Sequence, residues 1–374
     1  MSFFTEFERR IERHTRELQA AGLHRSLQPP IGIDLSSNDY LGLAAHPLLK
    51  ERMADAVMRE GCGATASRLL RGDRECFHQV ERRFADFKKT EASLYFGSGY
   101  TANLSVLGTF VERHDLVFTD AHNHASIIDG IRLSRAKRVK FPHCDAHRLG
   151  QMLRDAPAGL QKFLVTESLF SMDGDFAPLA DYAMLCRETN TVLIVDEAHA
   201  VGVYGSRGSG MIEQTGIEDS VFVSVNTAGK AMGVAGAFVA GPAWAIDYLV
   251  QRARPFIFST GSPPPIAAAL DASLTVIQNE PERRALLLEN SALLRSILKE
   301  KGNSQIIPVV LGDNDRACNI AMELQKEGFD VRAIRPPTVP AGTARLRISV
   351  NVGLSEATLR RFASTLEACC VVCS

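Results

Sequence analysis

A single lysine, one aspartate with a histidine close behind it, a second histidine and a glycine-rich turn are the residues whose types and spacing could do chemistry together. Lys230 stands in Val225-Asn226-Thr227-Ala228-Gly229-Lys230-Ala231-Met232-Gly233 and is followed by 16 uncharged residues. Apolar surroundings disfavour the ammonium form, and a neutral amine is what a Schiff base with a carbonyl requires. Asp196 ends the apolar run Leu193-Ile194-Val195, with His199 three residues on. Ligands of open parallel sheets lie off the carboxyl ends of strands. A carboxylate there suits a pyridinium nitrogen that must keep its proton, although an aspartate at a strand end also serves as a helix N-cap. Gly97-Ser98-Gly99-Tyr100-Thr101-Ala102-Asn103 follows Leu94-Tyr95-Phe96. It can hold a phosphate on backbone N–H groups at a helix start, or form an ordinary capped turn. His124 follows the run Leu116-Val117-Phe118 and Asp120, where its ring could lie flat against an aromatic cofactor or simply face solvent. Taken jointly and in chain order, the four features describe a pyridoxal 5'-phosphate site.

Such residues need a frame that brings strand ends together. From about residue 45, short apolar runs alternate with helical patterns: Ser93–Phe96, Asp115–Phe118, Lys162–Val165, Thr191–Val195 and Val221–Val225. This texture predicts an α/β fold with a mainly parallel sheet and helices on both faces. Before it, Phe4, Phe7, Ile11 and Leu18 mark a helix stripe, and Ile33–Tyr40 reads as a short strand running into a turn. Beyond residue 280 come a charged helix, the apolar runs Ile306–Leu311, Phe329–Ile334 and Ala344–Val350, and a last helix holding Leu359, Phe362 and Leu366. The expected division is an N-terminal segment 1–44, a large cofactor domain 45–279 and a smaller α+β domain 280–374.

Other readings are weaker. The chain has 374 residues, with 42 Lys+Arg against 43 Asp+Glu, so bulk charge gives no general attraction to nucleic acid. The uncharged stretch Ala231–Ile246 is shorter than the ~20 apolar residues that a spanning helix needs, and the charged start lacks a signal-peptide core. A cytoplasmic protein with no membrane partner is expected, its eight cysteines being free thiols. Cys370 and Cys373 form a C-x-x-C without the strand-to-helix setting of a redox motif. Gly61-Cys62-Gly63-Ala64-Thr65-Ala66 matches a dinucleotide fingerprint but follows a helical stretch. Asp196-Glu197-Ala198-His199 lacks the phosphate-binding loop of an NTPase. His122-Asn123-His124 offers two imidazoles with no third ligand in view, so no metal is assigned.

The chain resembles the α-oxoamine synthases, pyridoxal-phosphate enzymes with the aspartate-aminotransferase-type fold. The matching stretches are Ser36-Ser37-Asn38-Asp39-Tyr40-Leu41-Gly42-Leu43, Thr166–Asp175, Val195–His199 and Phe258-Ser259-Thr260. Ala333–Arg347, with Pro337-Thr338-Val339-Pro340, resembles the branch that joins L-alanine to a pimeloyl thioester in biotin biosynthesis. A glycine- or serine-using synthase, or a non-catalytic cofactor-binding regulatory subunit, is the alternative. The resemblance implies that Lys230 carries the cofactor, Asp196 pairs with the ring nitrogen, His199 with the ring hydroxyl, and His124 stacks on the ring. Gly99, Tyr100 and Thr227 would hold the phosphate, and Ser171 would border the cofactor. Ser259 and Thr260 would reach the phosphate of a second subunit, implying a homodimer. Arg347 would clamp the amino-acid carboxylate, with Asn38, Thr338 and Arg25 also toward substrate. Ala200 and Ala228 depart from the family pattern, without removing a group the chemistry needs.

Overall fold

Continuous runs of Val, Ile, Leu and Phe suit strands buried on both faces, and they form the core of the larger unit. The computed structural model describes residues 4–372. In chain order its strands are β1 (Ile33–Asp34), β2 (Ala92–Phe96), β3 (Leu116–Asp120), β4 (Lys137–Phe141), β5 (Lys162–Glu167), β6 (Thr191–Asp196), β7 (Val223–Thr227), β8 (Ala237–Gly241), β9 (Ile306–Gly312), β10 (Phe329–Asp330), β11 (Ala333–Ile334) and β12 (Ala344–Ser349).

Seven strands make one sheet in the order β2-β8-β7-β6-β5-β3-β4. The pairs β7–β6, β6–β5, β5–β3 and β3–β4 are parallel, while β8 runs antiparallel to both neighbours. This is the mostly parallel α/β sheet that the sequence texture predicts. Leu94, Val117, Val165, Ile194, Val225 and Val239 join Val106 and Ile127 of flanking helices in one core cluster. Parallel pairing brings strand ends to one edge. Asp120, Glu167, Asp196 and Thr227 are the last residues of β3, β5, β6 and β7. The register sets Glu167 beside Asp196, and Asp196 beside Val225.

The sheet belongs to a compact unit formed by Asn38–Leu288 with Asn351–Gly353. The other unit comprises residues up to Ser37, Glu289–Val350 and Leu354 onward. Within it β11, β12 and β9 form an antiparallel sheet, and β1 pairs in parallel with β10. The single run expected over Phe329–Ile334 is therefore two strands. The chain turns at Val331, whose N–H donates to Phe329 O at 3.0 Å, so each half takes a different partner. The N-terminal helix forms as Thr5–Ala20, yet none of its residues is buried. Cys373 lies outside the described residues. No described helix is long and apolar enough to cross a membrane.

Directly after β6, Glu197 is held by a buried ion pair. Lys88 Nζ lies 2.7 Å from Glu197 Oε2 and 2.5 Å from Ser209 O. Glu197 Oε1 accepts the N–H groups of Met211 and Ile212 at 2.7 and 3.2 Å. The Lys88 and Glu197 side chains are 2% and 0% exposed, so removing one partner strands the other charge away from water. Lys88→Met should cost about 3–5 kcal/mol, read as a lower urea midpoint. A loss below about 1 kcal/mol would remove the pair from any stabilising role.

Candidate active site

Lys230 lies in the turn between β7 and β8, so its side chain starts from the carboxyl edge of the sheet. Its Nζ donates to His199 Nε2 at 2.8 Å. With that nitrogen accepting, His199 carries its proton on Nδ1, which donates to Tyr40 Oη at 2.6 Å. Tyr40 Oη in turn donates to Asn38 Oδ1 at 3.1 Å. Every donor in this row points the same way, from the lysine amine outward to Asn38. His199 and Tyr40 are buried, which fixes the ring that the amine meets.

A second network surrounds Asp196. Its Oδ2 accepts from Asn103 Nδ2 at 2.7 Å, and its Oδ1 from Ala198 N at 2.9 Å. Asn103 also donates to Ser126 Oγ at 3.0 Å, and that hydroxyl lies 2.8 Å from His124 Nδ1. His124 precedes the helix Ala125–Ser134, and its Nδ1 accepts Ser126 N as the cap. Its own N–H donates to Glu167 Oε1 at 2.6 Å. Burial holds the His124 imidazole below its ordinary pKa, with Asp196 opposing and Lys230 adding to the depression. The ring is thus largely neutral at pH 7. Burial pushes Glu167 up to about 8, helped by repulsion from Asp196, while Lys230 and the His124 N–H pull it down.

The helix Gly99–Phe110 enters from β2 with Ser98 as its N-cap. Ser98 Oγ accepts Thr101 N at 3.1 Å, and Thr101 Oγ1 accepts Ser98 N at 3.2 Å. This capping box uses the N–H groups of Ser98 and Thr101 and leaves those of Gly99 and Tyr100 untouched by its two side chains. A Cβ at position 99 would collide with Thr227 Oγ1. The Thr227 hydroxyl thus lies against the helix start, where only glycine fits, and N–H groups of a helix start beside a hydroxyl suit a phosphate. With an amine at Lys230 and a buried carboxylate at Asp196, the residues fit pyridoxal phosphate.

Lys230, His199, Asp196, His124, Gly99 and Thr227 thus all lie in the sheet-bearing unit, at or just beyond the ends of its strands. Ser171 lies in the turn after β5, half-buried. Tyr100 is 40% exposed, its hydroxyl on Asp129. Ser259 and Thr260 are exposed. Arg25, Thr338 and Arg347 belong to the other unit. Within it Arg25 Nη2 donates to Thr338 Oγ1 at 3.5 Å, and buried Arg347 donates through Nη1 to Ser349 Oγ at 2.7 Å. Tyr40, Asn103 and Glu167 occur inside the sequence stretches quoted above but receive no role there. Their partners come from other strands and helices, which local spacing does not reveal.

Glu167 makes a pH prediction for the apoprotein. A carboxyl whose folded pKa is raised stabilises the fold fully below its unfolded value of ~4.5. That contribution fades as pH rises through about 8. Glu167→Gln should flatten the fall in apoprotein stability between pH 5 and 8.5, measured by urea unfolding. Parallel pH curves for the two proteins would show that Glu167 ionises normally.

The family model for aminotransferase class I and II matches residues 30–366. An 8-amino-7-oxononanoate synthase of Anaeromyxobacter dehalogenans is 46% identical over 370 residues, spanning 94% of this chain and 93% of the relative. A solved serine palmitoyltransferase from S. paucimobilis with bound PLP–myriocin aldimine has 27% identity and a TM-score of 0.91, covering 100% of this chain and 99% of that one. The 8-amino-7-oxononanoate synthase structure from Francisella tularensis has 29% identity and a TM-score of 0.78, covering 90% and 97%. The chain belongs to the aminotransferase class I and II family, among its pyridoxal-phosphate-dependent 8-amino-7-oxononanoate synthases.

Proposed function

We propose that this chain catalyses the decarboxylative condensation of L-alanine with a pimeloyl thioester, giving 8-amino-7-oxononanoate, CO2 and the free thiol. The observation that carries the reading is the Lys230 amine set on buried His199, in the unit that also holds Asp196 and the Gly99–Thr227 cradle. When bound, pyridoxal phosphate supplies an electron sink for negative charge developing at the amino acid's α-carbon.

The residues divide the remaining work. Lys230 would hold the cofactor's aldehyde carbon and, once free, move the α-proton through Nζ as general base. His199 accepts a hydrogen bond from that amine and would orient it, besides meeting the ring hydroxyl. Asp196, fixed by Asn103 and Ala198 N–H, would keep the ring nitrogen protonated. His124, largely neutral, suits a stacking role and a hydrogen bond to the thioester carbonyl. Gly99 and Tyr100 N–H groups and the Thr227 hydroxyl would bind the phosphate, with Ser171 beside the cofactor. Arg347 would take the amino-acid carboxylate as a bidentate partner, and Asn38, Arg25 and Thr338 would contact substrate.

A homodimer is part of the proposal. Phe258 is 71% exposed beside exposed Ser259 and Thr260. The helix Thr5–Ala20 leaves Phe7, Ile11 and Leu18 in solvent, apolar surface that a second copy would cover.

Lys230→Ala should abolish release of free thiol from pimeloyl-CoA with L-alanine, and normal turnover would defeat the assignment. Asp196→Asn should cost several orders of magnitude in rate while the fold persists. Titrating the yellow holoprotein with L-alanine, glycine and L-serine should give a saturable visible shift strongest for L-alanine. Preference for glycine or serine would keep the family and change the substrate.

A further inference from the structure

His122, rejected as a ligand for want of a third partner, has one in the fold. His124 is not part of it: the ligand atoms that converge on His122 belong to His143 and Asp173. His143 comes instead from the turn after β4, and Asp173 from the turn after β5. The His122 and His143 rings stack with centroids 4.1 Å apart and planes at 18°. His122 Nδ1 lies 3.1 Å from Asp173 Oδ2. One ligand atom from each of the three residues lies within 4.8 Å of the others. Tetrahedral zinc with bonds of about 2.0–2.2 Å spaces its ligands by about 3.3–3.6 Å, so sub-ångström to ångström movements of side chains suffice.

The support behind these residues is what separates them from a chance surface cluster. Asp120, ending β3 with its side chain 0% exposed, places Oδ1 2.8 Å from His143 Nδ1. Its two oxygens also accept the N–H groups of His122 and Cys144, at 2.8 and 2.9 Å. A buried carboxylate that takes one ring N–H of a histidine turns the other nitrogen outward as a ligand, the usual arrangement behind metal-bound imidazole. His143 Nε2 is the other nitrogen; Asp175 Oδ2 lies 3.5 Å from it, a contact that a bound ion would replace. The side chains of His122, His143 and Asp173 are 35, 18 and 21% exposed, so an ion could enter and keep water in a fourth position.

The geometry points to a binding site for a divalent transition-metal ion of the zinc class, formed by His122, His143 and Asp173 and oriented by Asp120. Two imidazoles and one carboxylate suit zinc, cobalt or nickel better than magnesium or calcium, which favour oxygen donors. His122 precedes His124 by two residues, and Asp173 follows Ser171 by two. A bound ion would therefore tie together the two turns that carry those residues.

The test is Zn2+ binding to gel-filtered holoprotein, without amino acid, read by competition with a chromogenic chelator. One equivalent per chain is expected. His122→Ala and Asp173→Asn should each weaken it by more than about tenfold, while Cys144→Ser and Cys370→Ser leave it unchanged. Absence of stoichiometric binding would overturn the site. So would binding that survives His122→Ala, or that is lost with either cysteine. None of these readouts depends on turnover, so the site and the proposed reaction fail separately.

Discussion

Glu167 and Asp196 are register partners at the ends of β5 and β6, both nearly excluded from water. Two carboxylates so placed repel each other unless a proton or a cation relieves them. The fold resolves the conflict unequally. Asp196 receives two directed N–H donors, whereas burial, helped by repulsion from Asp196, presses a proton onto Glu167. The result is one carboxyl held by hydrogen bonds beside one acid that burial keeps largely protonated at neutral pH. A ring N–H is a natural complement of the held carboxyl, and the neighbouring acid meanwhile fixes the backbone of His124.

The parallel sheet makes this concentration of polar groups affordable. Strand interiors are apolar on both faces, so polar side chains collect at the carboxyl edge, where helices start. Each start is capped from within: Ser98 and Thr101 at one helix, His124 at another. Caps that use local side chains leave selected N–H groups and ring faces for a ligand. One residue beyond Asp196, the pair of Glu197 with Lys88 anchors the segment Ser209–Ile212. Structural and chemical roles thus alternate along consecutive residues.

Much of this was legible in the sequence. Strand, glycine or small polar residue, then helix is a local pattern, and it singles out Lys230, Asp196, Gly99 and His124 as candidates without tertiary knowledge. What escaped was anything set by register or by contact between distant elements. Asn103 reads as an ordinary polar residue in a helix until the sheet puts Asp196 beside it. Tyr40 reads as a turn aromatic until His199 meets its hydroxyl. The run Phe329–Ile334 looks like one strand because hydrophobicity does not record that its halves pair with different strands. The apolar stripe of the first helix was correctly read as a helix, but periodicity cannot say whether its partner lies in the same chain.

The cradle between Gly99 and Thr227 carries a consequence for how such a protein can vary. The missing side chain at one position is occupied by the hydroxyl of the other, so the two form a single steric unit although far apart in the chain. A lone change at position 99 meets an obstacle, whereas shortening position 227 first removes it. Substitutions at this edge must therefore arrive in a set order, and the intermediate gives up a hydroxyl before anything replaces it.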